Sequence, residues 1–481
     1  MCTNAGFQKS PDGADKFARE DRKHADVRDV EEGAPVFACF ETTGMVLIMK
    51  IGQIIQYVWK RRRVATRLGM SFLATFFFEP FRRRPAIDRK TIIIVRNAAR
   101  SRIHNHALAL RAMGWQVILV ARAFEYGYQR NAFDKVYMWL TYPQMLRHVR
   151  RLCAKYRVPV VIGSMQPARI SMELLRKRGA WKYVIDHHDS AWAMVHFGKR
   201  DTEETRKVES WLSAEEVQAE QEGYQGADGV IARSHELRAL FEDTGTTTPI
   251  IVLEDRCDPA SFQTVADHGE PKDKEWSVTY AGYIMPMSAD PAYWNTAQFV
   301  NHAAGFREEQ VHLHLYPTPM HDKVNPEYEQ EARSNPYFHM HRAVSFRKVQ
   351  HELAKYDFGL ICFSCSSNKF LSWAHFKYHV HAKFHTYLEA GLPIIVPECF
   401  EGEAELVVRR GLGFVIGETS SNIGNLIRKR DVRKLRENVK AYREEVRVES
   451  EANDLNAFLN GIIEKTNARK PLQAAQFKNM I

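Results

Sequence analysis

Four histidines cluster late in the chain, at His375, His379, His381 and His385. The pairs 375/379 and 381/385 are four residues apart, a spacing that puts two imidazoles on one helix face in the manner of metal ligands. No HExxH lies nearby and no Asp-x-Asp occurs anywhere in the chain, so no metal site is expected. Cys362 and Cys365 form a single CxxC at the end of an apolar strand pattern. Without a second pair they read as buried or half-buried thiols. Lys383 stands at the start of a helical pattern, where an ammonium and helix N-terminal amides together suit a phosphate; the alternative is an ordinary solvated lysine. Gly282 follows a strand pattern, so its missing Cβ either admits a ligand to the backbone or simply makes a turn. His188 and Asp189 close the run Asp186-His187-His188-Asp189, a His–Asp pair suited to orienting an imidazole or to plain structural hydrogen bonding.

The elements that would position these residues alternate between β and α. Thr91-Ile92-Ile93-Ile94-Val95 is a β-branched apolar run, hence a buried strand. Helical spacing from His104 to Met113, a Gly114 C-cap and a second strand at Trp115–Ala121 complete a strand–helix–strand unit of Rossmann type. Further strands are predicted at 158–162, 183–186, 229–232 and 250–253, with helices at 171–178 and 215–223. A polar linker, 266–275, precedes a second alternation. Strands there are predicted at 277–281, 311–316, 338–341, 358–362, 393–396 and 413–416. Its helices are predicted at 293–304, 346–355, 382–390, 422–428 and 432–465. The expected architecture is α/β, with two Rossmann-like domains at 89–265 and 276–481 facing each other across a cleft.

Composition supports an ordinary globular body: 481 residues, 45% hydrophobic, 26% charged and 11% aromatic. No run approaches about 18 apolar residues, which excludes a polytopic membrane protein. The net charge of +10 is localised, because residues 41–100 hold 13 basic against 3 acidic residues, an excess equal to that of the whole chain. A general nucleic-acid surface is therefore not expected. Residues 1–44 read as a disordered polar tail. In 45–88, two short apolar stretches are flanked by Arg61–Arg63 and Arg82–Arg84. This pattern fits partly helical segments on an anionic membrane surface; packing on the body or on a partner is the alternative. Seven scattered cysteines and a polar start at Met1–Gly13 point to a reducing cytoplasm.

Six segments, in order along residues 90–465, resemble one family. Asp186-His187-His188-Asp189 resembles its "YDxHD" strand end and Ala227-Asp228-x-Val230-Ile231-x-x-Ser234 its "ADxVIxxS". Tyr280-Ala281-Gly282 resembles its "YxG", and Ala354-x-x-Asp357-x-Gly359-Leu360 its "LAxxDVGL". The run Ala382-Lys383-Phe384-His385-Thr386-Tyr387-Leu388-Glu389-Ala390-Gly391-Leu392-Pro393-Ile394-Ile395 resembles "NKLFEYLAAGLPVI", and Glu405 with Gly411-x-Gly413 matches the last unit. The chain thus resembles GT-B glycosyltransferases, chiefly the retaining family-4 type.

That resemblance implies a metal-independent transferase without a cofactor. It would move a sugar from a nucleotide-diphosphate donor to a glycan or lipid-linked acceptor at the inner face of the cell membrane. It implies that Gly282, Tyr283, Lys383, Thr386 and Glu389 bind the donor, and that His188, with Asp189, faces the transferred sugar. It places Ser101 and Arg102 in the loop facing acceptor or phosphate. The chain departs from the family in three places. Thr386 replaces the ribose-binding Glu, for which Glu389 is the expected substitute. The loop Tyr283–Pro286 lacks the usual Arg and Lys, and Asp255-Arg256-Cys257 replaces "PNG".

Overall fold

The computed structural model describes residues 90–99, 101–124, 132–139, 141–164, 168–187, 214–243, 245–263, 275–318, 325–363, 380–417 and 419–465. The tail 1–44 and the basic segment 45–88 lie outside the described residues.

The Ile-rich run seeds β1 (Thr91–Ala99), an interior strand of a seven-stranded sheet. Around it lie β2 (Gln116–Phe124), β3 (Lys135–Met138), β4 (Val160–Ser164), β5 (Lys182–His187), β6 (Gly229–Ala232) and β7 (Ile250–Val252), in the order β3-β2-β1-β4-β5-β6-β7. Every pairing is parallel. Both faces are covered, which is why residues 92–95 of β1 are apolar without interruption. Ile92 and Ile94 enter one core layer, and Ile93 and Val95 the other. The second sheet, in the order β10-β9-β8-β11-β12-β13, is also fully parallel. It contains β8 (Trp276–Gly282), β9 (Val311–Pro317), β10 (Phe338–Met340), β11 (Phe358–Leu360), β12 (Ile394–Pro397) and β13 (Gly413–Ile416). Each sheet reverses its winding once, between β1 and β4 and between β8 and β11. Ligands of such folds sit at the carboxyl ends of those strands.

Two expected helices are broken. Residues 293–304 form short turns, at Pro291–Trp294, Asn295–Ala297 and Val300–His302, before helix Ala303–Glu308 begins. Gln298 Nε2 donates to the carbonyls of Pro286 and Ala289, folding this stretch onto the preceding loop in place of a helix. The expected helix 432–465 stops at Glu445 and resumes at Ala452. Between them Val446 and Val448 hydrogen-bond to the backbone of Cys257, so two crossings between the sheets run side by side. Helix Ala452–Glu464 then packs on the first sheet: Leu455, Leu459 and Ile462 join Ile92, Ile94 and Trp115 in one core layer. The segment expected to close the second domain, within 276–481, thus carries a helix that belongs to the first core.

Five elements were not expected: β3 and helices Tyr142–Tyr156, His235–Asp243, Pro326–Ser334 and Glu401–Arg410. Cys153, Cys257 and Cys362 are buried free thiols, whereas Cys399 is disulfide-bonded.

A buried ion network locks the first sheet to the crossings. Asp186, at the end of β5, accepts from Arg96 Nη2 at 2.6 Å and from Arg102 Nε at 2.9 Å. Arg96 also donates to Ser164 on β4, and Arg102 donates to the Leu253 carbonyl at 2.6 Å. The two arginines hold the Asp186 carboxyl well below the ordinary carboxylate range, overcoming the opposing effect of burial. Removing one partner from such a network strands a buried charge. Arg102→Ala is therefore expected to cost about 3–5 kcal/mol of stability, read by chemical denaturation; a loss under about 1 kcal/mol would contradict this role.

Candidate functional site

The carboxyl ends of β8 and β11 gather the donor-side residues. Helix Ala382–Ala390 begins there, with His381 as N-cap, and the His381 side chain makes no capping hydrogen bond. Lys383, in the first turn, sends Nζ to the Ile361 carbonyl (2.8 Å), just past β11. The same ammonium lies 4.4 Å from the centre of the Tyr280 ring on β8 and 3.4 Å from its hydroxyl. Burial pulls its pKa below the usual lysine value. A cation is thus held at the winding reversal of the second sheet, beside the positive end of a helix.

Gly282 ends β8. A Cβ there would meet the Tyr280 hydroxyl at 2.7 Å, and that hydroxyl donates to the Tyr283 carbonyl at 2.8 Å. The glycine therefore has a packing reason of its own, since it lets Tyr280 tie down the loop. Tyr283 leaves 43% of its surface exposed at the strand end.

Two further residues stand at the helix start. Glu403, from helix Glu401–Arg410, is completely buried; it accepts from the His381 backbone and lies 2.7 Å from His381 Nδ1. Burial pushes Glu403 up to about 8, against the opposing pull of the His381 amide and of Lys383. Arg233, one residue beyond β6 of the first sheet, donates to the Val380 carbonyl at 2.7 Å and pairs with Asp255 at 3.1 Å. It thereby anchors the chain just before the helix from across the cleft. Neither Glu403 nor Arg233 was singled out by sequence; a buried carboxylate beside a cation carries no local pattern.

Several expected roles change. Glu389 cannot replace the ribose carboxylate. It is buried, with one oxygen accepting from Asp258 N (2.8 Å) and the other from Gln350 Nε2 (2.7 Å). The helix buries that position against the crossing and helix Phe346–Leu353. Thr386 returns its hydroxyl to the Ala382 carbonyl at 3.4 Å. Arg102 is 2% exposed and committed to the Asp186 network, so it does not face a ligand; Ser101 opens the same helix. Asp186, whose two oxygens serve Arg96, Arg102 and His106, is committed within the first sheet. His187 is buried 2.7 Å from the Tyr224 hydroxyl. His188 and Asp189 lie outside the described residues, as do His375, His379 and Cys365. His381 and His385 do not converge: His381 meets Glu403, whereas His385 is buried, its pKa lowered to about 4 by desolvation. Burial also pushes the Cys362 thiol up to about 12, which makes it inert.

Residues 297–450 match the family model of the glucosyltransferase 3-like C-terminal domain. No curated protein matches the chain. Among solved structures, sucrose-phosphate synthase from Thermosynechococcus elongatus aligns over 78% of this chain and 99% of its own, with 13% identity and a TM-score of 0.54. A glycosyltransferase from Rickettsia africae aligns over 79% and 100%, with 10% identity and a TM-score of 0.51. The fold is GT-B. Among the described residues no helix is long and apolar enough to cross a membrane.

The two buried glutamates set a pH dependence. Burial raises Glu389 and Glu403 from 4.5 to about 8, so the folded state holds both protons more tightly than the unfolded one. Their stabilising share is complete below about pH 4.5 and is lost as pH rises through 8. The thermal midpoint is therefore expected to fall between about pH 6 and pH 9. Glu389→Gln, which mimics the protonated acid while Gln350 turns its amide to accept, should flatten that fall. A slope unchanged by the substitution would refute the assignment.

Proposed function

We propose that this chain, a GT-B fold carrying a glucosyltransferase 3-like C-terminal domain, transfers a sugar from a nucleotide-diphosphate donor to a glycan or lipid-linked acceptor. The observation that carries the reading is the placement of Lys383, an ammonium fixed at the winding reversal of the second sheet in the first turn of a helix whose N-cap side chain, His381, makes no capping hydrogen bond. A diphosphate docked there would meet backbone donors and a cation together. As the sugar–phosphate bond breaks, negative charge grows on the leaving phosphate and positive charge on the sugar ring. Lys383 and the helix amides are preorganised for the first of these, and such preorganised donors are usually the largest single contribution to catalysis. The Tyr283 loop borders the same strand end. His188 and Asp189, which follow β5 in the sequence, are assigned to the transferred sugar by the family resemblance. The transfer is proposed to be retaining and to need no metal at the reacting atoms.

Residues 45–88 are proposed to hold the cleft against the anionic inner face of the cell membrane, through inserted apolar side chains and arginines among headgroups. One observation favours a second reading. The hydroxyl of Thr386 and the carboxylate of Glu389 are both engaged within the fold, so this helix lacks a free ribose carboxylate. A GT-B-like scaffold without donor chemistry would share that feature.

Isothermal titration with uridine and guanosine diphosphates separates the two readings, since micromolar binding supports the transferase and silence the scaffold. Across a panel of nucleotide sugars, Lys383→Ala should lower kcat/KM by about 10²–10³-fold, or about 2.7–4 kcal/mol. The reading fails if no nucleotide sugar is hydrolysed or transferred and Lys383→Ala binds nucleotide as the parent does. The full chain should pellet with anionic liposomes and release partly at high salt. Deleting residues 1–84 should abolish pelleting with the body still folded; a truncated chain that aggregates would instead mark the segment as core packing.

A further inference from the structure

β9 and β10 carry a repeated His-x-His. His312 and His314 lie on β9, and His339 on β10 is followed after one residue by His341. Side chains alternate across a strand with period two, so each pair presents both imidazoles to one face. The parallel register sets His339 opposite His314, and the backbone amide of His341 extends the ladder by donating to Leu315. Four half-buried imidazoles therefore share one face at the sheet edge. His312 Nδ1 lies 2.8 Å from His339 Nε2, and His314 Nδ1 lies 2.9 Å from His341 Nε2. The rings of His314 and His339 stack with centroids 4.3 Å apart.

The decisive contact comes from Glu275, just before β8. Its carboxylate lies 2.8 Å from His312 Nε2. An ionised carboxylate only accepts, so the hydrogen sits on Nε2, and the Nδ1 of neutral His312 is left as a lone pair facing the other imidazoles. A histidine anchored by a carboxylate through one nitrogen, with the other nitrogen turned inward, is the usual outer-sphere arrangement around a bound metal. One nitrogen each from His312, His314 and His339 falls within a 4.8 Å cluster.

We propose that His312, His314 and His339 bind a divalent transition-metal ion of the zinc type, with Glu275 orienting His312. Imidazole nitrogens select zinc, nickel or copper over magnesium and calcium, which take oxygen ligands. Three histidines leave a fourth position for water or His341. The ion replaces the hydrogen bond between His312 Nδ1 and His339 Nε2, and the proton of that bond passes by exchange with solvent to His339 Nδ1, leaving Nε2 as the ligand and the ring neutral. With Zn–N bonds of about 2.0–2.1 Å, the two nitrogens must part to roughly 3.3 Å, a shift small enough for side-chain rotation. These histidines lie on β9 and β10, and Glu275 just before β8, whereas Lys383 contacts Tyr280 and Ile361 at the carboxyl end of the sheet. The ion thus ties an open sheet edge together and takes no part in sugar transfer, and its presence does not depend on that reading.

The test uses tag-free full-length protein, stripped with a chelator and titrated with zinc chloride. Isothermal titration should show one site of micromolar or tighter affinity, and X-ray absorption should show three nitrogen ligands at about 2.0–2.1 Å. His312→Asn/His339→Asn should weaken that site at least a hundredfold, and Glu275→Gln by about 10–100-fold, while the exposed His351→Asn leaves it unchanged. Circular dichroism checks each fold, and the exposed Glu275 position keeps the test decisive if the double variant unfolds. Absence of binding overturns the proposal. So does zinc affinity unchanged in both the double variant and Glu275→Gln, or an absorption spectrum with oxygen ligands only.

Discussion

The structure depends on one buried charge. Asp186 has no exposed surface, and two guanidiniums and His106 surround it. Ions so far from water persist only when fully paired, and the pairing here fixes geometry. Arg96 spans β1, β4 and β5 at the winding reversal of the first sheet. Arg102 carries the constraint onward to Leu253 and Asp255, where the chain leaves that sheet. Asp255 then receives Arg233, whose other contact is the Val380 carbonyl at the start of the donor-side helix. A continuous set of ion pairs and hydrogen bonds therefore runs from the first sheet to the second. Helix Ser101–Ala112 adds to it through His104 on Asp258 and Asn105 on the Arg256 carbonyl.

Much of this architecture was legible in the residue pattern, and the exceptions have physical causes. Long apolar runs such as 91–95 and 394–396 can only be strands buried on both faces, and both sheets follow from them. Helix Ala382–Ala390 was readable to the residue because Gly391 ends it with φ 78°, a conformation open to glycine. β3 escaped notice as four half-polar residues at a sheet edge, the first two half-buried and the last two buried. Helix Tyr142–Tyr156 did carry a signal, since Met145, Val149, Leu152 and Tyr156 lie along one buried face. The break at 446–451 could not be read locally, because the backbone there is claimed by Cys257, nearly two hundred residues earlier in the chain.

The candidate site was legible only where its chemistry is local. A lysine at a helix start and a glycine at a strand end are each short-range patterns, and Lys383 and Gly282 do meet around Tyr280. Arg102 and Glu389 show the opposite case. Their sequence neighbourhood suggests ligand contact, but their partners are Asp186 and Gln350, each far along the chain. Glu403 and Arg233 were invisible for the same reason. The His-x-His pairs were present in the sequence, yet their meaning arises only from the register that sets His339 beside His314.

The return of helix Ala452–Glu464 to the first sheet has a consequence for synthesis. Leu455, Leu459 and Ile462 cover the layer that contains Ile92, Ile94 and Trp115, and Trp115 Nε1 donates to Asn456 at 2.9 Å. A ribosome delivers those first residues some three hundred and sixty positions before their cover. Chains grow at about 5–20 residues per second and domains fold as units, so this layer stays bare for roughly twenty seconds or more. Meanwhile the second sheet emerges with all its strands. The later half of the polypeptide can thus finish folding first, and the earlier half is sealed only as residues 452–464 arrive. During that interval the unsealed side of β1 is the part of the molecule most in need of a chaperone.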